Sequence, residues 1–432
     1  MGKNYLEQNV YDAANDRIDF IFKNFEKIYL SFSGGKDSGV MLNLTLDYMR
    51  KHGITEKIGV LIVDLEGQYN MTIDYIKQTV ESNLDLIKPC WVCLPLNLRN
   101  ATSVFEPFWT CWDADQKDKW VREMPEADYI MNESNHFFDF FKKNMEFEDF
   151  VPAFGEWFSQ GKRTACLVGI RSDESLNRYR TIANKEKVTL KKQIWTTKVT
   201  DNVYNCYPIY DWKVEDIWVG NGKYEWSYNK LYDMFYKAGL SLANQRICQP
   251  YGDDQRIGLN LYRIIEPQTW SKVVNRVSGA NFGNIYCGNK ILGYRKMSLP
   301  KGHSWKSYTK LLLSTLPEEM SEHYKKKFVK FIKYWNKKGC PVKDGFEEKL
   351  PAGAEVLDKL SNRGKKNKKL LVWKKIPDYL DNDFEQNKMA PTWRRMAICI
   401  LKNDHMCKGI SFSQTKQQQE RMKGLLAKYK DI

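Results

Sequence analysis

The feature that most constrains the fold is a six-residue segment, SGGKDS at Ser33 to Ser38, between two apolar stretches of different spacing. The residues just before it, IYLSF, form a short apolar run that predicts a strand. The residues after it place apolar side chains at near-helical spacing as far as Gly53, and predict a helix. The adjacent glycines permit a tight turn between the two. This order of strand, loop and helix predicts one unit of a parallel α/β sheet.

Further predicted strands and helices alternate along the chain. A helix is predicted from about Val10 to Phe25, and another from about Met71 to Val80. Apolar runs predict further strands at residues 58–63, 87–94, 165–170 and 203–209. We therefore predict an α/β fold, a parallel twisted Rossmann-like sheet with flanking helices, because right-handed crossovers connect such strands.

The predicted domains differ in composition. Residues 1–220 form the α/β domain, in which the aromatic and acidic stretch 97–160 breaks the pattern and indicates an insertion or lid. Residues 221–290 form a helical extension, and 291–432 a mostly helical, basic C-terminal domain with an exposed Lys-rich loop near 361–369.

Charge is divided unevenly along the chain. The net charge is +15, but residues 291–432 hold 32 Lys and Arg against 15 Asp and Glu, which leaves the remainder near neutrality. A basic segment of this kind predicts binding to nucleic acid or to an acidic partner protein, although Lys-rich helix faces are also commonly just solvated. Four tryptophans of this segment could stack on unpaired bases or form a core: Trp305, Trp335, Trp373 and Trp393.

The cysteines and the hydropathy pattern indicate a cytoplasmic protein. Ten cysteines are scattered along a chain in which we find neither a secretion signal nor an apolar run long enough to span a membrane. Cys90 and Cys93 form a lone C-x-x-C on a predicted strand, whereas zinc and iron–sulfur sites normally need four ligands. Neither zinc nor an iron–sulfur cluster is expected.

The loop at Ser33 to Ser38 has the chemistry of a phosphate site. Gly34 and Gly35 allow close approach of the backbone, the following helix presents free N–H groups, and the helix dipole favours anions. Lys36 adds a full charge, and the two serine hydroxyls can donate hydrogen bonds. The spacing is not that of a Walker A loop. The alternative is an ordinary turn in which Asp37 or Ser38 caps the helix.

A second polar turn, GIRSDESLNR at residues 169–178, also follows a predicted strand. Ligands of open α/β sheets bind beyond the carboxyl ends of the strands, so Gly169 is expected beside the first loop, with Arg171 and Arg178 clamping an anion. The alternative is a helix cap with surface arginines. Asp64 and Glu66 end another strand and are expected to contact ribose or, for Asp64 together with Asp37, Mg²⁺; a solvated loop is the alternative.

With these residues in view, the chain resembles the phosphoadenosine phosphosulfate (PAPS) reductase family of the PP-loop ATP pyrophosphatases. The motifs are SGGKDS, Asp64, GIRSDESLNR and YPIYDWKVEDIW at 207–218, and they span roughly residues 25–220. The resemblance implies phosphate contacts from the first loop, adenosine contacts near Asp64 and anion contacts from both arginines. The reductases' Glu-Cys-Gly-Leu-His tail is absent. The terminal third resembles a subfamily that includes the immunoglobulin-binding regulator.

Three functions follow as hypotheses. The first is an enzyme that binds ATP with Mg²⁺ and cleaves it between the α and β phosphates to adenylate an acceptor, with Lys36, Asp37 and Arg171 as catalytic residues. The second is reduction of PAPS or adenylyl sulfate, which requires a nucleophilic cysteine, Cys248 or Cys287. The third is a regulator or defence protein that senses a nucleotide, or acts on nucleic acid, without turnover.

Overall fold

The computed structural model describes residues 5–103, 105–184, 186–252, 259–280, 299–342, 350–359, 368–386 and 388–410. The chain forms two compact units. Unit 1 comprises residues 1–99 and 108–280, and unit 2 comprises residues 100–107 and 281–432.

Unit 1 is built around a sheet of seven strands. The strands of unit 1, in chain order, are β1 (Lys27–Ser31), β2 (Ile58–Val63), β3 (Ile87–Cys93), β4 (Asn97–Arg99), β5 (Phe108–Thr110), β6 (Ile130–Asn132), β7 (Thr164–Leu167), β8 (Thr196–Lys198) and β9 (Val203–Cys206). Of these, β4 and β5 form a separate hairpin, and the other seven form the sheet. The order across the sheet is β6-β3-β2-β1-β7-β9-β8. All neighbours run parallel except β8 and β9, so the predicted parallel α/β fold is confirmed.

The helices of unit 1 are α1 (Val10–Asn24), α2 (Lys36–Lys51), α3 (Asn70–Glu81), α4 (Phe147–Ser159), α5 (Leu176–Ala183), α6 (Val214–Lys223), α7 (Leu231–Lys237), α8 (Leu259–Ile265) and α9 (Pro267–Arg276). The central strands are apolar on both faces, as parallel strands covered by helices must be. In β2, for example, every residue up to Ile62 is buried. Helix α2 crosses from β1 to β2 and buries Met41, Leu42 and Met49 completely.

The segment at 97–160, which the sequence indicates as an insertion or lid, also contributes a strand to the main sheet. Its strand β6 pairs in parallel with β3 and forms one edge of the sheet, while α4 follows it. The sequence did not indicate β6 because the strand has only three residues, too few for a hydrophobic period to show.

Unit 2 contains the predicted helices and also a sheet that the sequence analysis does not predict. Its elements are α10 (Trp305–Thr315), α11 (Glu318–Lys337), β10 (Cys340–Val342), β11 (Ala354–Lys359), β12 (Lys368–Trp373), α12 (Asp383–Gln386) and α13 (Trp393–Leu401). The three strands are antiparallel in the order β10-β12-β11. The Lys-rich loop expected at 361–369 lies largely outside the described residues, and Lys368 and Lys369 belong to β12 rather than to a loop.

The tryptophans of unit 2 are core residues. Trp305, Trp335 and Trp373 are buried, and Trp393 packs against the core cluster with part of its surface covered. Of the two alternatives, stacking on bases or forming a core, burial favours the core for Trp305, Trp335 and Trp373. No described helix is both long enough and apolar enough to cross a membrane.

Candidate nucleotide-binding site

The loop between β1 and α2 is a tight, internally bonded turn. Gly34 has φ +71°, a left-handed conformation that suits glycine, and a Cβ there would lie 2.8 Å from Ile76 Cγ1 of α3. The hydroxyls of Ser33 and Ser38 lie 3.1 Å apart, and Ser38 Oγ also donates to the carbonyl of Gly35 at 3.1 Å. Helix α2 begins at Lys36, so its first-turn N–H groups lie at the loop without partners within the helix.

Lys36 is held in place by the protein. Its side chain is only 6% exposed, and Nζ donates to the carbonyl of Gln245 at 3.1 Å. The same ammonium lies 3.4 Å from Asp37 Oδ2 and 5.3 Å from the centre of the Tyr232 ring. The backbone N–H of Lys36 donates to the Tyr232 hydroxyl at 3.0 Å. Burial, with the charge of Asp37, raises the pKa of Tyr232 well above its usual value, so this hydroxyl stays neutral.

The turn after β7 packs directly on the first turn of α2. A Cβ at Gly169 would lie 2.7 Å from the carbonyl carbon of Asp37, so only glycine allows the two backbones to approach this closely. Arg171 Nε donates to Asp37 Oδ1 at 2.5 Å, and Nη1 donates to Asp173 Oδ1 at 2.6 Å. Burial alone would lower the pKa of Arg171, but the charge and hydrogen bond of Asp37 outweigh it and the pKa is raised. Lys36, Asp37 and Arg171 thus form a connected chain of charges.

A cavity of about 420 Å³, which we call the loop cavity, opens at this junction. The SGGKDS loop contributes Ser33 and Gly35 to Ser38, and the second turn contributes Gly169 and Arg178. The charged lining residues are Lys36, Asp37, Glu174, Arg178 and Arg246, and Cys248 lies beside them. Arg171 is not among the lining residues: it is 3% exposed and engaged with two carboxylates. The structure therefore places Arg178, not Arg171, where an anion could be clamped.

Asp64 and Glu66 lie in a separate buried cluster. Asp64 is 1% exposed, accepts from Trp91 Nε1 at 3.0 Å and forms an ion pair with Arg122. Glu66 is completely buried and is bonded through both oxygens to Arg276, at 2.6 and 3.0 Å.

The remaining hydrogen-bonding capacity of these two carboxylates is also used within the cluster. Trp112 and Val121 donate backbone N–H groups to Glu66 at 2.8 and 3.1 Å. Neither carboxylate lines the loop cavity. Contacts of Asp64 or Glu66 with a nucleotide stay a prediction, and the hydrogen bonds within the cluster do not favour it. Their position fits instead an anchor for the chain segments that carry Trp112 and Arg276.

The two proposed Mg²⁺ ligands, Asp37 and Asp64, are both engaged by arginines. Asp37 and Asp64 each bond to a different arginine, and their pairing around Mg²⁺ stays a prediction. Among the described residues no group of three or more Asp, Glu, His or Cys side chains could hold a metal. Cys90 and Cys93 lie on β3, as predicted. Burial raises the pKa of Cys90 to about 12 and that of Cys93 well above its ordinary value, so both stay thiols near neutral pH.

Comparison with known proteins divides the chain at residue 238, whereas unit 1 extends to residue 280. Residues 27–238 match the phosphoadenosine phosphosulfate reductase domain, and residues 239–421 match a domain of unknown function, DUF3440. The chain is 38% identical over 430 residues to the uncharacterized protein YbdN of Escherichia coli (strain K12), covering 97% of this chain and 95% of YbdN. The chain belongs to the PAPS reductase family. The predicted family is confirmed; the likeness to the immunoglobulin-binding regulator stays a prediction.

Two solved structures show distant likeness to this PAPS reductase family member. One is FMN adenylyltransferase from Candida glabrata with FAD and inorganic pyrophosphate, at 16% identity and a TM-score of 0.31, covering 52% of this chain and 58% of that one. The other is PAPS reductase from Candida auris in a phosphate complex, at 11% identity and a TM-score of 0.28, covering 58% and 99%. Likeness at this level says nothing about the chemistry of the site.

The loop cavity of this PAPS reductase family member draws on both matched segments. Arg246, Ile247 and Cys248 come from the region that matches DUF3440, yet they line the cavity beside the SGGKDS loop. Sequence reasoning missed Tyr232, Gln245 and Arg246, which lie about 200 positions away along the chain and carry no local motif. Cys248 was named only as a candidate nucleophile, and Cys287 lies outside the described residues.

Proposed function

We propose that the protein binds an adenine nucleotide in the loop cavity and cleaves ATP between the α and β phosphates, transferring the adenylyl group to an acceptor. The observation that carries this proposal is the cavity itself, which is lined jointly by the first turn of α2, including Lys36, by the two serines and by Arg178 and Arg246. Backbone N–H groups at a helix N-terminus together with fixed cations are a favourable site for phosphate.

The chemistry requires stabilisation of the charge that develops on the departing pyrophosphate. Donors that are already in position provide it without reorganisation at the moment of reaction. Ser33, Ser38 and the backbone N–H groups of α2 that follow Lys36 would hold the pyrophosphate, because the N–H of Lys36 itself donates to Tyr232. Lys36 and Arg178 would balance its charge. Asp37, fixed between Lys36 and Arg171, would keep the lysine in its position. The acceptor oxygen then attacks the α phosphorus as the bond to the bridging oxygen breaks.

Mg²⁺ is expected with the nucleotide, because this ion is commonly held by substrate phosphates and only one or two carboxylates. Asp64 does not fit that role, since Arg122 and Trp91 already engage its carboxylate. Asp37 lines the cavity, but its Oδ1 is engaged by Arg171. These two side chains therefore do not form a metal site by themselves.

A second candidate function, sulfonucleotide reduction, is favoured by the position of Cys248. This cysteine lines the loop cavity with partial exposure. In that reaction the Cys248 thiolate attacks the sulfonate sulfur, the sulfur–oxygen bond to the nucleotide phosphate breaks, and the adenosine phosphate leaves. An external dithiol would then attack the cysteine-bound sulfonate, become oxidised to a disulfide and release sulfite.

Product analysis separates the candidates. The full-length protein is incubated separately with ATP and Mg²⁺, adenylyl sulfate, and PAPS, the last two with a dithiol, and the products are identified by mass. Pyrophosphate from ATP supports adenylation. Sulfite that disappears in Cys248→Ser supports reduction, and tight binding without either product supports a nucleotide sensor.

Alkylation provides an independent check on the site. Saturating ATP is expected to slow labelling of Cys248 by iodoacetamide several-fold, because the bound nucleotide would occupy the cavity that Cys248 lines. Cys340 of unit 2, also partly exposed, serves as the control whose labelling ATP does not change. Equal labelling of Cys248 with and without ATP would contradict the proposed site.

A further inference from the structure

A second cavity, which we call the aromatic cavity, meets the loop cavity at one side chain. It has a volume of about 300 Å³, and four of its lining residues are aromatic: Trp218, Tyr228, Tyr232 and Tyr236. Tyr232 lines both cavities. The volume is at the lower end of the range, about 300 to 1,000 Å³, of cavities that hold small molecules.

Three of these four rings, those of Trp218, Tyr228 and Tyr232, are fixed against one another. The Trp218 ring meets Tyr228 edge to face, with centroids 5.4 Å apart at 84°, and meets Tyr232 similarly, 5.5 Å apart at 72°. The Tyr228 hydroxyl donates to Asp233 Oδ1 at 3.1 Å, which holds that ring in turn. Flat, immobilised aromatic walls favour a flat and largely apolar guest.

Two buried polar atoms of the lining residues have no hydrogen-bond partner among the described residues. They are Trp218 Nε1, a donor, and Gln245 Oε1, an acceptor. Gln245 is completely buried, and its amide nitrogen donates to the carbonyl of Leu240 at 3.1 Å, which assigns the unpaired atom as the oxygen. Buried polar atoms are nearly always paired. Because both residues line the same cavity, a guest that offers one donor and one acceptor could satisfy both atoms.

We propose that the aromatic cavity binds a planar heteroaromatic group that carries an N–H donor next to an acceptor atom. The N–H would donate to Gln245 Oε1, and the acceptor would receive the Trp218 Nε1 proton. A ring of this chemistry has two sources, the base of the bound nucleotide itself or the acceptor molecule. The identification of the ring with one of these two sources rests on the proposed function. The existence of the binding site does not.

Gln245 connects this cavity to the phosphate loop. Its side chain belongs to the aromatic cavity, while its backbone carbonyl accepts from Lys36 Nζ at 3.1 Å. Tyr232 makes a second connection, since its hydroxyl accepts from the backbone N–H of Lys36. A ring bound against Gln245 and Tyr232 therefore lies one residue away from the loop that would hold the phosphates.

Calorimetric titration of the full-length protein with adenine and with 6-dimethylamino-9-methylpurine tests the inference, because the second compound keeps the purine ring but carries no N–H donor. We expect the wild type to bind adenine at least tenfold more tightly. Gln245→Met and Trp218→Phe should each lower adenine affinity about tenfold, and Gln245→Met should remove the preference for adenine. Gln78→Met, at an exposed glutamine of α3, is the matched control and should bind like the wild type.

Competition with ATP identifies the source of the ring. Displacement of adenine by ATP assigns the ring to the nucleotide, and simultaneous binding of both assigns it to the acceptor; each outcome supports the site. A wild type without preference for adenine, or a preference that survives both substitutions, overturns it. If ATP fails to bind while adenine binds as expected, the proposed function fails and this inference stands. Trp218→Phe carries the test should Gln245→Met not fold.

Discussion

At the scale of single residues, Lys36 has the most direct effect on phosphate binding. Lys36→Ala is expected to reduce ATP affinity roughly tenfold to a few hundredfold, because a hydrogen bond to a charged group contributes about 1.5 to 3 kcal/mol. The fold should survive, since the side chain lies at a cavity and not in the apolar core. Lys51→Ala, at the exposed C-terminal end of the same helix, is the control. Calorimetry that finds equal affinity for wild type and Lys36→Ala would remove the loop from the site.

Arg171 is expected to act through Asp37 and not through the ligand. Arg171→Ala should lower ATP affinity by releasing Asp37, and Arg171→Lys should restore it only in part, because an ammonium cannot reproduce two bonds at fixed angles to Asp37 and Asp173. Titration of both variants measures this. Combining Arg171→Ala with Asp37→Asn should add little to either single change if the pair acts as a unit. Full additivity would argue for direct contact between Arg171 and the nucleotide.

The buried pair of Glu66 and Arg276 contributes to stability. Arg276→Met leaves the completely buried Glu66 carboxylate without its guanidinium, which costs about 3 to 5 kcal/mol for a pair of this kind. The matched control is Lys325→Met, which breaks an ion pair whose side chains are about half exposed and should cost less than about 1 kcal/mol. Urea unfolding followed by fluorescence measures both. Equal midpoints for the two variants would show that the Glu66 cluster is not an anchor.

At the scale of secondary-structure elements, the contact between the turn after β7 and the first turn of α2 sets the geometry of the site. Gly169→Ala would place a Cβ 2.7 Å from backbone atoms that cannot move aside cheaply. We expect a lower melting temperature and weaker ATP binding together. Gly222→Ala in α6, where a Cβ meets nothing within 4 Å, should be neutral or stabilise by about 0.5 to 1 kcal/mol. Differential scanning fluorimetry with and without ATP reports both effects.

The elements that the sequence predicts best are those with strong periodicity and a local motif. The strand, glycine loop and helix around Gly34 are visible in one short segment, as is Gly169 at the end of another strand. Strands β6, β8 and β10 have three residues each, and their pairing depends on neighbours far along the chain, so no local pattern marks them. Tyr232 and Gln245 reach the site only through the packing of α7 and the loop that follows it.

Arg171, in the turn at residues 169–178, shows why the sequence did not predict the ion pairs of the site. A sequence can show that Arg171 stands after a strand, but it does not show which carboxylate lies nearest. Asp37 binds the guanidinium of Arg171, and Arg178, in the first turn of α5, lines the cavity. The partners of Asp64 and Glu66 are likewise not visible in the sequence. Arg122 and Arg276 come from segments that no motif connects to β2.

At the scale of the whole molecule, the basic charge is concentrated in residues 291–432 and part of it forms one exposed face of α11. Lys326, Lys330, Lys333 and Lys337 recur at helical spacing and are all exposed. If this face binds nucleic acid, affinity should depend weakly on sequence and fall steeply with salt as counterions are released. Changing Lys326, Lys330 and Lys333 to Gln should reduce the slope of log affinity against log salt by about 0.9 per lysine on duplex DNA.

The control for this prediction neutralises three exposed lysines of unit 1, Lys51, Lys88 and Lys119, and should leave the slope unchanged. Fluorescence anisotropy with labelled single- and double-stranded DNA measures the slope. Absence of binding at low ionic strength would contradict the prediction and leave a solvated face or an acidic protein partner as the alternatives.

The close approach of Gly169 to the peptide between Asp37 and Ser38 has a further consequence for the kinetics of ligand capture. Because backbone packing, and not a mobile lid, fixes the two turns relative to each other, the conformational entropy of ordering them is lost when the chain folds and not when a ligand arrives. Such a preorganised cradle is expected to associate with anions at rates set by diffusion and electrostatic attraction. Differences in affinity among nucleotides would then reside mainly in their rates of release.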